Sequence, residues 1–228
     1  MIMSQIAFVA SVWTLPVLLA VTLHEAAHGW AAWRLGDPTA RQAGRVSFNP
    51  LRHIDPFGTV ILPAMLLFMQ APMLFGWAKP VPVDFRRLGN PRRDMVLVAA
   101  AGPGINLLLA YAAALLLHVL PLLPEFAARW AALNLVNMIQ LNLLLAVFNM
   151  LPLPPLDGGR VAVGLLPARL ALPLARLERF GMLIVLALFF FAPTLGRSVG
   201  FNIDLFGWLV GRPVDALFNL VVLLAGHG

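Results

Sequence analysis

Residues 1–23, 57–78, 95–117 and 130–156 contain no charged side chain, and each of these four runs exceeds twenty residues. As a helix, each rises 1.5 Å per residue and can cross the roughly 30 Å hydrocarbon core of a bilayer. Inside hydrocarbon every backbone N–H and C=O must be bonded within its own segment or bundle, so the chain is predicted to be an all-α polytopic membrane protein. Two further apolar runs, 180–196 and 205–226, bring the total to five or six segments. The first of these is expected to span. The second carries Arg212 and Asp215 and could span with the pair at i,i+3 or lie as an interfacial helix. Pro16 is expected to kink the first helix.

The 16 Lys+Arg against 10 Asp+Glu do not form a nucleic-acid-binding face, because they fall in short segments between apolar runs. Twelve lie in three connections: Arg41, Arg45 and Arg52 in 36–56; Lys79, Arg86, Arg87, Arg92 and Arg93 in 79–94; Arg160, Arg169, Arg176 and Arg179 in 157–179. The excess of basic residues on cytoplasmic loops places all three connections on the cytoplasmic side of a cell membrane, with the N-terminus outside. Basic connections on both sides of 57–78 conflict with a single crossing, so that segment is expected to be a re-entrant hairpin. Residues 45–48 alternate like a short strand beside it. The N-terminal run lacks the positive flank of a signal peptide and is read as retained. No polar stretch is long enough for a soluble domain, so residues 1–228 read as one integral membrane domain, with a core over about 4–165 and C-terminal helices over about 166–228.

The first run ends on His24-Glu25-Ala26-Ala27-His28. Residues four apart lie on one helix face, so His24 and His28 can converge on one ion while Glu25 handles protons, the pattern of a zinc site. The chain has no cysteine, so a third ligand must be His, Asp or Glu. His53, Asp55, Asp84, Asp94, His118, Glu125, Glu178, Asp204, Asp215 and His227 are candidates, but most sit in polar connections where a solvated charge is ordinary. Asp157 differs, because it follows a 27-residue uncharged run and is flanked by Pro154-Pro155 and Gly158-Gly159, which can hold irregular backbone deep in the membrane. The alternative for Asp157 is a turn residue at the surface. Asn106, in the run 95–117, needs a hydrogen-bond partner within the bundle.

These motifs resemble the site-2 protease family of intramembrane zinc metalloproteases, peptidase family M50. Its H-E-x-x-H is similar to His24, Glu25 and His28, its N-x-x-P-x-x-x-x-D-G to Asn149, Pro152, Asp157 and Gly158, and its glycine-proline-asparagine element to Gly102, Pro103 and Asn106. Residues 44–50 and 76–83 resemble the short prokaryotic branch, and the chain has room for neither a PDZ nor a CBS domain. The resemblance implies a three-helix catalytic core over about 20–165, one Zn2+ held by His24, His28 and Asp157, and Glu25 as general base. It gives Asn149 a role at the substrate or oxyanion, and leaves Gly102, Pro103, Asn106, Pro152 and Gly158 to the core. The partners implied are the lipid bilayer and a single-span membrane-protein segment as substrate. The implied activity is endopeptidase cleavage of transmembrane segments in regulated intramembrane proteolysis, with the site toward the cytoplasmic side. A zinc-binding membrane transporter and a membrane-surface metalloprotease are the alternatives.

Overall fold

A computed structural model describes residues 2–62, 65, 68–69, 76–191, 193, 195 and 204–227. The chain is an all-α membrane protein. Among the described residues the α-helices are α1 (Ile2–Arg34), α2 (Thr39–Gln42), α3 (Pro91–Leu116), α4 (Glu125–Asn149), α5 (Asp157–Leu165), α6 (Ala168–Arg176), α7 (Gly181–Leu186) and α8 (Arg212–Leu224). Among the described residues four helical stretches are long and apolar enough to cross a membrane: Ala7–Arg34, Pro91–Leu122, Glu125–Asn149 and Gly207–Leu224. The last of these falls within the run 205–226 and has the length of a crossing helix. There Arg212 lies over the Trp208 ring, 3.7 Å from its centroid, and no ion pair joins it to Asp215 among the described residues.

Helices α1, α3 and α4 pack together as a three-helix core. Lipid is as apolar as leucine, so association in a bilayer rests on close packing of small residues and on interhelical hydrogen bonds. Both are present. Ala110, Ala113 and Ala114 of α3 are buried against Met138, Ile139 and Leu143 of α4, and Val221 and Ala225 close the cluster from the α8 side. Helix α1 runs through Pro16, whose missing N–H leaves the Val12 carbonyl without its intrahelical donor. Asn137 of α4 supplies one, its Nδ2 lying 3.0 Å from Val12 O.

Residues 36–56 and 76–90 cover one end of this core. Gly36 takes φ +112°, a left-handed backbone that ends α1 at no steric cost. Asp37, fully buried, accepts from the backbone N–H of Thr39 at 3.0 Å and of Asp84 at 2.7 Å, and so ties the two connections together. The other side of Asp84 faces solvent, where the bonded Arg86 guanidinium holds its carboxyl below the ordinary value. Helix α3 opens with Asn90 as its cap and Pro91 in the first turn. The Asp94 carboxylate accepts from the Asn90 N–H at 2.7 Å.

The ends of the segment 57–78 lie side by side. Trp77 N–H donates to Gly58 O at 3.1 Å and Thr59 Oγ1 donates to Trp77 O at 2.8 Å, so the chain leaves and returns at one level, as a re-entrant hairpin does. Residues 70–75, within the segment, lie outside the described residues. The short strand expected at 45–48 is not formed. Residues 46–48 are bends, and no strand occurs among the described residues. The physical reason is partnership: Arg45 is drawn sideways, its Nη2 donating to Lys79 O, and nothing aligns a ladder beside it. Part of the run 180–196 also falls outside the described residues; within 181–191 the chain is helical.

Candidate metal centre

His24, Glu25 and His28 occupy the later half of α1, and the one-turn spacing stacks the two imidazoles on a single face. The third element reaches them because of how α4 ends. Pro152, Pro154 and Pro155 stop the helix, and the chain turns and restarts as α5 with Asp157 as its first residue, not as a member of an irregular loop. Gly158 and Gly159 make this turn possible. A Cβ on Gly158 would meet the Met150 and Leu151 carbonyls, and one on Gly159 would meet the backbone of Leu153 and Pro154. Arg92 of α3 holds the far end of α5 by donating from Nε to Gly164 O at 2.8 Å and from Nη2 to Leu166 O. The result is an Asp157 that is 7% exposed, which excludes the surface-turn alternative.

Three potential ligand atoms converge. His24 Nε2 and His28 Nε2 are 3.0 Å apart, and Asp157 Oδ2 is 3.2 Å from the first and 3.3 Å from the second. His28 Nδ1 lies 2.7 Å from Val98 O, which can only accept, so Nδ1 carries a proton and the neutral ring presents its lone pair on Nε2. His24 Nδ1 lies 2.5 Å from Asn106 Oδ1, with the same consequence. Asp157 Oδ2 is buried and has no hydrogen bond directed at it. With both imidazoles neutral, three acceptors face one another, an arrangement that repels itself unless a cation sits at the centre. Four ligands at 2.0–2.1 Å around tetrahedral zinc are about 3.3 Å from each other, close to the separations found here. The residues fit the ion.

The surroundings complete the site. Gly102 of α3 lies against the imidazoles, and a Cβ there would come within 2.6 Å of His24 Nε2 and closer still to His28 Nε2. Gly102→Ala is accordingly expected to push both rings out of line. Isothermal titration with Zn2+ should show affinity reduced by at least the 10- to 100-fold typical of outer-shell changes. Glu25, beside the two histidines on α1, accepts at its Oε2 from the Val81 N–H at 2.9 Å. Val81 belongs to residues 76–84, an extended segment fixed by Lys79 N–H donating to His53 O and by the Asp37–Asp84 bond. This segment, with Asn149, Asp157 and Arg160, walls a cavity of about 280 Å³ onto which His24, Glu25 and His28 open. Asn149 lines the cavity with one amide hydrogen committed to Leu145 O at 3.0 Å.

The other sequence candidates lie elsewhere. His53 is buried in the connection, its Nε2 3.0 Å from Ser47 O. His118 stacks on His227 with centroids 3.9 Å apart. Asp55 caps the helical turn that begins at Pro56, and Asp94 braces the start of α3. Among the described residues only His24, His28 and Asp157 gather as a metal-sized group. Asn142 and Val81, which touch the site through Asn106 and Glu25, were not anticipated. For Asn142 the available signal was the one that flagged Asn106, an amide within an apolar span that must find a partner.

A helical membrane protein with an H-E-x-x-H face and a converging aspartate has the construction of a membrane metalloprotease, and comparison with known proteins agrees. Residues 125–192 match the model of peptidase family M50. The chain is 38% identical over 185 residues to the Bacillus subtilis protein named "Putative zinc metalloprotease YwhC", covering 76% of this chain and 77% of that one. It is 34% identical over 205 residues to the similarly named Rip2 of Mycobacterium tuberculosis, covering 89% and 71%. No solved structure matches. The chain belongs to peptidase family M50, the site-2 protease family of membrane metalloproteases.

Proposed function

We propose that the protein is an intramembrane zinc endopeptidase that cuts membrane-spanning segments of other membrane proteins, as in regulated intramembrane proteolysis. The observation that carries this reading is the depth of the converging ligand atoms. His24 lies ten residues before Arg34, the last residue of α1, and at 1.5 Å per residue that is about 15 Å into a helix of membrane-spanning length. A peptide bond that reaches the site must enter the bilayer or already lie in it. A surface metalloprotease would have no need of such depth. A transporter would leave Glu25, which opens on the same cavity, without work.

His24, His28 and Asp157 would hold the ion, which supplies acidification of a bound water and polarisation of the substrate carbonyl. Glu25 accepts the proton from the attacking water and returns it to the leaving amine. The Val81 N–H holds the Glu25 carboxylate at the cavity wall, so its orientation is set before substrate arrives. Asn149 has a second amide hydrogen free of its Leu145 bond, which can donate to the substrate carbonyl or to the oxyanion that develops there. Because a helix hides its own peptide bonds, the substrate must unwind before it is cut.

The reading is tested by reconstituting the purified protein in vesicles with a single-span substrate and locating the cut by mass spectrometry. Cleavage within the apolar segment is expected. Cleavage confined to the aqueous flank would favour the surface metalloprotease, and zinc uptake without cleavage the transporter.

The reading also orients the site toward the cytoplasm of a cell membrane. The chain has no cysteine, so single substitutions Arg41→Cys, Arg87→Cys and Arg169→Cys report cleanly. All three are expected to resist an impermeant thiol reagent added from outside intact cells. Labelling at position 87 alone would convert the hairpin at 57–78 into a full crossing.

A further inference from the structure

A histidine that binds metal through Nε2 must keep its proton on Nδ1, and what fixes that proton at His24 lies two helices away. The Asn106 side chain is fully buried between α1 and α4. Its Oδ1 faces His24 Nδ1 at 2.5 Å, while its Nδ2 faces Asn142 Oδ1 at 2.7 Å and Ala20 O at 3.3 Å. Asn142 is itself fully buried, and its Nδ2 donates to Met138 O at 2.8 Å and contacts Met138 Sδ at 3.1 Å.

Each amide orientation in this chain follows from the one before it. The Met138 carbonyl can only accept, so the Asn142 amino group must face it and the Asn142 oxygen must face Asn106. Two oxygens, Asn142 Oδ1 and Ala20 O, then surround one end of the Asn106 amide, which must be its amino end. That leaves Asn106 Oδ1 against His24, where it can only accept, so the proton resides on Nδ1 and the Nε2 lone pair points at His28 and Asp157. A flipped Asn106 would set its oxygen against two other oxygens, an arrangement that costs several hydrogen bonds at once at a fully buried position.

We propose that Asn142 is a positioning residue of the metal centre: acting through Asn106, it fixes the His24 tautomer that presents Nε2 to the ion. The inference deepens the metal-site reading and rests on it. Among the described residues Asn142 bonds to Asn106 and Met138 and does not line the cavity, so its effect on the metal passes through the relay.

The test uses the full-length protein in detergent, with Zn2+ affinity read by chelator competition and Co2+ bound in place of zinc as a spectroscopic probe. Asn142→Leu removes the acceptor and the donor while keeping apolar bulk. It is expected to weaken Zn2+ binding by about 10-fold or more and to alter the visible Co2+ bands, as loss of an outer-shell partner does. In Asn142→Asp a buried carboxyl favours its neutral form, which can accept from Asn106 and donate to Met138 O, so near wild-type affinity and bands are expected. Wild-type affinity in Asn142→Leu, or equal loss in the two variants, overturns the inference in favour of simple packing.

A measurement without those variants guards against misfolding. In metal-free wild-type protein labelled with 15N-histidine, the His24 resonance, identified by its loss in His24→Gln, is expected to show the proton on Nδ1. A proton on Nε2 overturns the relay whatever the variants do. If the wild-type chain binds no zinc at His24 while the ring still carries Nδ1–H, the metal-site reading fails and the relay stands.

Discussion

Glu25→Gln is expected to lower the rate of peptide cleavage by about 10²- to 10⁴-fold, the usual span for removing a general acid–base group, while zinc content stays at the wild-type level. The amide keeps the shape of the carboxylate and its oxygen can still accept from the Val81 N–H, so the segment 76–84 should stay in place. What it loses is the capacity to take a proton from water. Single-turnover cleavage of a membrane-embedded substrate, measured beside zinc analysis of the same sample, separates the two. Normal turnover by a zinc-loaded glutamine variant would remove Glu25 from the reaction.

Asp157→Ala carries the second large effect, for a different reason. Two neutral imidazoles leave a dication with its full charge in a low-dielectric site, and the carboxylate both ligates and offsets that charge. The variant should lose activity and most bound zinc, a loss beyond the roughly 10- to 100-fold that an outer-shell partner costs. Asp55→Ala and Asp84→Ala, whose carboxylates bond only to neighbouring backbone and guanidinium groups, should keep both. Stoichiometric zinc at wild-type affinity in a folded Asp157→Ala protein would send the search for a third ligand to other residues.

The parts of this arrangement that were legible in the sequence are those that depend on local spacing. Uncharged runs have no alternative to helix in a bilayer, which is why α1, α3 and α4 form over the runs 1–23, 95–117 and 130–156. The pairing of His24 with His28 needs only the helical repeat. Asp157 was visible because three prolines and two glycines break the chain beside the single acid at the end of a long apolar run, although helix α5 starts on that very residue.

What could not be read depends on contacts between distant segments. The alternation of residues 45–48 suggested a strand, but a strand needs a neighbouring edge, and Arg45 reaches Lys79 instead. The roles of Val81, Asp37 and Asn142 arise from pairs 47 to 56 residues apart for the first two and from a three-helix relay for the third. Nothing in local pattern distinguishes Asn142 from Asn134 or Asn137 on the same helix. Packing against α1 and α3 assigns each amide its partner.

The claim on which all of this rests is that His24, His28 and Asp157 hold one zinc ion. X-ray absorption at the zinc edge of the purified, metal-loaded wild-type protein addresses it most directly. The account predicts one zinc per chain with two imidazole nitrogens and carboxylate or water oxygens at about 2.0–2.2 Å, and loss of one imidazole from that shell in His28→Ala. A shell with three imidazoles, or a wild-type protein that retains no zinc, would contradict it.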